Sequence, residues 1–200
     1  MRKRNLFAAL TSLLLCVSLA ACTIILPNDQ VTGPDTIGTS TSGTNNGAGT
    51  TRPPSGTGTH KFGVRTKTSG CRANNGLPDP ACTPGDILPA ATASLICQPG
   101  YSKTVRNVPT SLKDEVYASY GIASHIAGEY EVDHLVSLEL GGSNDISNLW
   151  PELASPTPGF HQKDDIENYL HEQVCSGAMS LKDAQIQIAT NWLNIYRRVH

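Results

Sequence analysis

The stretch EVDHLVSLELGGSNDISNLW, residues 131–150, decides the fold that this chain is predicted to adopt. It opens as a run rich in Val and Leu that carries Asp133 beside His134, and Gly141-Gly142 then turn the chain. Neighbouring side chains of a strand point to opposite faces. Asp133 and His134 are therefore expected to act on different sides of a β-hairpin.

The predicted elements around this stretch are two strands and three helices. The first strand is predicted over Tyr130–Leu140, and a short return strand is predicted to end at Pro151. Apolar residues at four-residue spacing, each run followed by glycine or preceded by a cap, predict helices over 111–120, over 161–175 and from Ser180 onwards. Strands and helices in this order indicate a small α+β protein with additional helices.

Four cysteines follow Cys22, and their number and spacing favour disulfides. In an exported chain an even number of cysteines is typical of disulfide bonds. Of the three pairings, we favour Cys71–Cys82 together with Cys97–Cys175. A zinc–thiolate site is the competing interpretation, although the chain has no Cys-x-x-Cys pair. Residues 61–109, rich in Gly and Pro, are expected to be an irregular segment stapled by these bonds.

The N-terminal part is predicted to deliver the protein out of the cytoplasm. Residues 1–21 have a basic start and an apolar run, as in a secretory signal peptide. The sequence around Cys22 resembles the bacterial lipobox, which implies lipidation of this cysteine. Residues 22–60 are Thr-, Gly- and Ser-rich and predict a disordered linker. The folded domain, residues 61–200, is therefore expected to be lipid-anchored outside the cytoplasm, at the cell membrane or at the outer membrane. No obligate protein partner is inferred.

The net charge limits the kinds of ligand that the chain can bind through charge alone. The full sequence has 15 Lys and Arg against 17 Asp and Glu, a formal charge of −2. Three of the basic residues lie in residues 1–21, so the chain without this segment has 12 against 17, or −5. Broad binding of nucleic acid normally uses a basic surface. A polyanionic substrate would need a local basic patch or bound cations.

Asp133 and His134 offer the groups that metal-assisted hydrolysis requires. A neutral histidine can take a proton from water near neutral pH. A carboxylate can bind a hard cation such as Mg²⁺, and His161 early in the next helix could be a second ligand. A metal with a base is an established way to hydrolyse a phosphodiester.

The order Asp133-His134, Gly141-Gly142, Asn148-Leu149 and a helix with His161 resembles the HNH endonucleases of the His-Me finger superfamily. The resemblance covers about residues 128–175. It implies a ββα-metal core that binds one divalent ion, Mg²⁺ first, with Mn²⁺, Ni²⁺ or Zn²⁺ as alternatives. It also implies His134 as general base, Asp133 as a metal ligand and Asn148 as a residue that fixes the loop, the base or the metal. The spacing from Asn148 to His161 is longer than the family's usual spacing, so Asp164 is an alternative ligand.

The expected function is a metal-dependent endonuclease that cleaves DNA, and also RNA, with little sequence preference. Arg106 is a candidate phosphate contact because guanidinium matches phosphate geometry, and Lys163 is a second candidate for substrate binding. The alternative is a non-catalytic surface lipoprotein that uses the same fold for binding or assembly. A hydrolase of another phosphodiester or of a cell-wall polymer is a third hypothesis.

Overall fold

The structure is a computed structural model that describes residues 60–200. The predicted signal peptide, the predicted lipidation site Cys22 and all but the last residue of the predicted linker lie outside the described residues. No helix in the described part is long and apolar enough to cross a membrane.

The described chain combines helices with one two-stranded antiparallel sheet, so the predicted α+β class is confirmed. Each of the three predicted helices is present with ends within two residues of the prediction, and two short helices precede them. In chain order the elements are α1 (Ala93–Ile96), α2 (Tyr101–Val105), α3 (Thr110–Ser119), β1 (Tyr130–His134), β2 (Leu149–Leu153), α4 (Phe160–Cys175) and α5 (Leu181–Val199).

The hairpin differs from the prediction at the end of each strand. β1 ends at His134 instead of Leu140, because the chain then leaves the sheet and forms a short 3-10 helix over Leu138–Leu140. β2 continues through Pro151, which pairs with Val132. Both strands of a two-stranded sheet are edges, where proline is tolerated because its missing N–H removes no ladder bond on the open side. His134 therefore stands at the last paired position of β1, opposite Leu149.

The loop between the strands is folded back so tightly that one position requires glycine. A Cβ atom on Gly142 would lie 1.8 Å from the carbonyl oxygen of Val136. Gly141 before it has a φ of +74°, in the left-handed region that glycine adopts without strain. The predicted Gly-Gly turn therefore allows the backbone after β1 to close on itself.

Two apolar clusters hold the hairpin between helices. The larger one lies where α4 packs on α5, and it contains the predicted stripe of α5, whose members are buried. These are Ala184, Ile188, Trp192 and Ile195. The smaller cluster packs Val116 of α3 against Val132 and Leu149 of the hairpin. The hairpin is thus fixed on one side by α3, and its polar face is left for α4.

Both favoured disulfides are present. Cys71–Cys82 closes a short loop in the segment before α1, and this segment has no helix or long strand between residues 60 and 92. Cys97–Cys175 joins the end of α1 to the end of α4 across 78 residues of sequence. The bonds therefore staple the irregular segment and tie it to the helical part of the domain.

Candidate active site

The hydrogen bonds around His134 define which of its nitrogens can accept a proton. The Nε2 atom lies 3.2 Å from Oδ1 of Asn144. The orientation of this amide is fixed twice: its Nδ2 donates to Val105 O at 2.7 Å, and its Oδ1 accepts from the backbone N–H of Asn107 at 3.1 Å. Because Oδ1 can only accept, His134 Nε2 carries the hydrogen, and Nδ1 carries the lone pair of a neutral imidazole.

Burial keeps His134 neutral. The residue is only 3% exposed. Loss of solvent lowers the pKa of His134 to about 4, and the opposing effects of the Asp133 charge and the Asn144 hydrogen bond do not restore it. The imidazole is therefore a base in its unprotonated form at neutral pH.

Arg106 lies close enough to the hairpin end for its charge to act there. It follows α2 directly, it is exposed, and it adjoins Asn107, which binds the same amide as His134. Its positive charge lowers the pKa values of His134 and Glu131. The guanidinium is therefore a candidate to bind an anion near His134. Phosphate binding by Arg106 stays a prediction.

Asp133 is bound by an internal cation. Its Oδ2 lies 2.6 Å from Nζ of Lys163, and its side chain is 15% exposed. The same Nζ donates to the backbone carbonyl of His134 at 2.8 Å and to Oε1 of Glu167. Lys163 is fully buried. This ammonium donates its three hydrogens to groups within the protein. Lys163 is therefore not placed to contact a substrate, contrary to the prediction that it binds one.

Three carboxyl groups surround this one ammonium. Burial raises the pKa of Asp133, but the Lys163 charge outweighs it, so the pKa lies below its usual value. Burial raises the pKa of Glu167 to about 7 despite its contact with Lys163. Burial also raises the pKa of Glu152 well above its usual value. Glu152 is 1% exposed, and its carboxyl group lies near that of Asp133, whose charge raises the Glu152 pKa further. Asp133 is thus the carboxyl that pairs with Lys163 as an ion.

Asn148 holds the loop between the strands. Its Oδ1 accepts from the backbone N–H groups of Val136 at 2.8 Å and Asp86 at 3.2 Å. Its Nδ2 donates to the carbonyls of Val136 at 3.0 Å and Ser143 at 2.8 Å. The side chain is completely buried. All of its hydrogen-bonding capacity is used by the loop and by Asp86, which leaves no group of Asn148 for a substrate or a metal.

The two residues predicted as the further metal ligand lie on the first turn of α4 and face solvent. His161 is exposed, and its ring packs on Phe160 with centroids 4.3 Å apart. Asp164 is exposed too, and partial burial and the Asp133 charge raise its pKa. Asp164 is thus within electrostatic reach of Asp133.

The residues present do not fit a divalent ion bound between Asp133 and His161. Asp133 already pairs with an ammonium, and no group of three ligand side chains converges around it in the described part of the chain. The one such group there is Cys97, His171 and Cys175. Its two sulfurs form a disulfide, so they are not thiolates that could bind a metal.

Three residues of this site were not predicted from the sequence. Asn144 orients His134, and Glu152 and Glu167 complete the carboxyl set around Lys163. The spacing of Lys163 and Glu167, four residues apart on one helix face, was a readable signal. Asn144 and Glu152 carried no comparable signal, because their contacts depend on how the loop and the hairpin fold.

Comparisons with protein family models, curated proteins and solved structures found no match. The geometry of this site is therefore the basis for the function of the domain.

Proposed function

We propose that the domain is an endonuclease that hydrolyses phosphodiester bonds of DNA, and of RNA as a second substrate. In this proposal the hairpin and α4 correspond to the ββα core that the resemblance implies. The observation that carries the proposal is the oriented, neutral imidazole of His134 at the end of β1. A base of this kind, with its lone pair on a known nitrogen, is what activation of water requires.

The reaction begins with a water molecule next to Nδ1 of His134. Nδ1 takes a proton from this water as its oxygen attacks phosphorus, the P–O bond to the leaving ester oxygen breaks, and that oxygen takes a proton from solvent. Asn144 accepts from Nε2–H throughout, and it stabilises the imidazolium that forms. Arg106 neutralises the phosphate charge that increases as water attacks.

The weakly acidic chain supports cleavage without sequence preference. With Arg106 as the main cation near His134, substrate binding is expected to be weak and to weaken modestly as salt is added. We also propose, from the sequence alone, that Cys22 is lipidated and that the domain acts at the cell surface.

A specific observation favours the second candidate, a non-catalytic surface lipoprotein. His134 is 3% exposed and Asp133 is paired with a buried lysine, as in an inert structural cluster. A protein of this kind would keep the fold and the cluster but would not turn over a phosphodiester.

Nicking of supercoiled plasmid by the purified chain separates the two candidates. His134→Ala is expected to lower the nicking rate by about 100-fold or more, the effect of losing a general base. His200→Ala is the matched control, because His200 is an exposed histidine at the end of α5. Reactions are run with Mg²⁺ and with EDTA, so that the result does not presuppose a metal. No nicking by wild type, or equal nicking by His134→Ala, would favour the non-catalytic protein.

A further inference from the structure

The partners of Lys163 have the composition of a cation site. Asp133 Oδ2, the His134 carbonyl oxygen and Glu167 Oε1 surround its Nζ atom, and we call these three oxygens the ammonium site. Carboxylate and carbonyl oxygens are also the donors that hard divalent cations take in proteins. The position that a divalent ion would occupy beside Asp133 is thus filled by a covalently attached cation.

The ammonium site joins the two elements that carry the chemistry. Lys163 is in the first turn of α4, and its ammonium reaches the last two residues of β1. Because the contact to His134 is to its backbone carbonyl, the position of the base depends on this bond directly. Glu167, one turn further along α4, accepts a hydrogen bond from the same ammonium through Oε1. Its Oε2 accepts a hydrogen bond from Ser137 Oγ at 2.8 Å.

Lys163 supplies the positive charge that the carboxyl groups of this cluster face. The ammonium is fully buried, and it faces Asp133 and Glu167 directly with Glu152 nearby. Lys163 forms an ion pair with Asp133 and a second one with Glu167, and burial favours the neutral form of Glu152 by raising its pKa. A divalent ion bound to Asp133 would stand next to the ammonium and would be repelled by it.

We propose that Lys163 is the resident cation of this site and takes the place of a divalent metal ion at Asp133. Lys163 is a positioning residue in this assignment, since it touches Asp133 and the His134 backbone and not the substrate. The metal-free state of Asp133 can be tested by itself. The consequence that nicking does not need added metal rests on the proposed endonuclease function.

The first test measures Mn²⁺ binding to the full-length wild-type chain after treatment with EDTA. The loss of the free-ion signal in electron paramagnetic resonance reports bound Mn²⁺. We expect equal binding curves for wild type and Asp133→Asn, because Asp133 takes no part in binding. A stoichiometric site in wild type that Asp133→Asn removes would overturn the proposal. This result is independent of any nuclease activity.

The second test removes the ammonium. In Lys163→Ala the three oxygens of the ammonium site lose their cation, so added Mn²⁺ is expected to raise the melting temperature by about 3 °C or more, as a ligand bound to the native state does. Wild type and Lys182→Ala, which removes an exposed lysine, should show no such rise. A rise of the same size in wild type would contradict the proposal. If Lys163→Ala does not fold, the Mn²⁺ curves of wild type and Asp133→Asn decide the question.

The third test uses activity and separates failure of the inference from failure of the function. Nicking by wild type in EDTA should stay within about twofold of nicking in Mg²⁺, because EDTA removes no ion that takes part in the reaction. Removal of a catalytic ion would lower the rate by orders of magnitude. Nicking that depends on both His134 and Mg²⁺ would retain the endonuclease and reject the resident cation. Absence of nicking in every condition would reject the endonuclease. The Mn²⁺ binding curves would still test whether Lys163 takes the place of a divalent ion at Asp133.

Discussion

Replacement of Asn148 by alanine is expected to destabilise the domain severely. The change leaves four backbone groups without their partner, three of them in buried hydrogen bonds and one, the Asp86 N–H, in a part-buried one: the N–H groups of Val136 and Asp86 and the carbonyls of Val136 and Ser143. Each lost hydrogen bond costs about 1 kcal/mol net, and more where the group left behind stays dry. The sum is about 3–5 kcal/mol, a large part of the roughly 5–15 kcal/mol that stabilises a typical domain.

Urea unfolding followed by tryptophan fluorescence measures this loss. Trp150 and Trp192 are both buried, so their emission reports exposure of the hairpin and of the helical core. The matched control is Asn168→Ala. Asn168 is exposed, and its side-chain Nδ2 donates one hydrogen bond, to the carbonyl of Asp164 at 2.9 Å. It should change the free energy of unfolding by less than about 0.5 kcal/mol.

Asn148→Asp tests whether hydrogen-bond direction, and not side-chain size, is responsible. Aspartate keeps the acceptor for the N–H groups of Val136 and Asp86, but it puts an oxygen against the carbonyls of Val136 and Ser143. A loss comparable with that of Asn148→Ala is therefore expected. If either variant lost less than about 1 kcal/mol, the amide would not be what holds the loop, and the reasoning would be refuted.

Three further predictions concern protons and cross-links. Because burial sets the pKa of His134 at about 4, the acid limb of kcat/KM for nicking should lie well below the ordinary histidine value near 6.5, and a limb at 6.5 would refute this. Because the pKa of Glu152 is raised in the folded state, its contribution to stability is lost as pH rises above its ordinary value of 4.5, so Glu152→Gln should gain stability relative to wild type as pH rises from that value in urea titrations, and a constant difference would contradict it. Replacement of both cysteines of Cys97–Cys175 by serine should cost about 4–5 kcal/mol, against about 3 kcal/mol for Cys71–Cys82, in the chain-entropy treatment, and a reversed order in calorimetry would count against it.

The sequence by itself was enough for the α+β class, the three longer helices and the favoured cysteine pairing. Helix periodicity, caps and glycine stops depend on residues close together in the sequence, so they can be recognised without knowledge of the fold. The ends of the strands were less predictable. β1 is shorter than its apolar run because Leu138 and Leu140 are buried in a 3-10 helix and not in the sheet. An apolar run says that a segment is buried, but it does not say in which backbone conformation.

The tertiary structure alone decided what surrounds Asp133 and His134. The sequence placed both residues on one hairpin, and the hydrogen-bond donors and charges around them come from α4 and from the loops on either side. Lys163 is 30 residues from Asp133, and its burial depends on how α4 packs against the polar face of the hairpin. Whether a carboxylate is open to a metal or neutralised by a lysine is a property of that packing, because the residue type is the same in both cases.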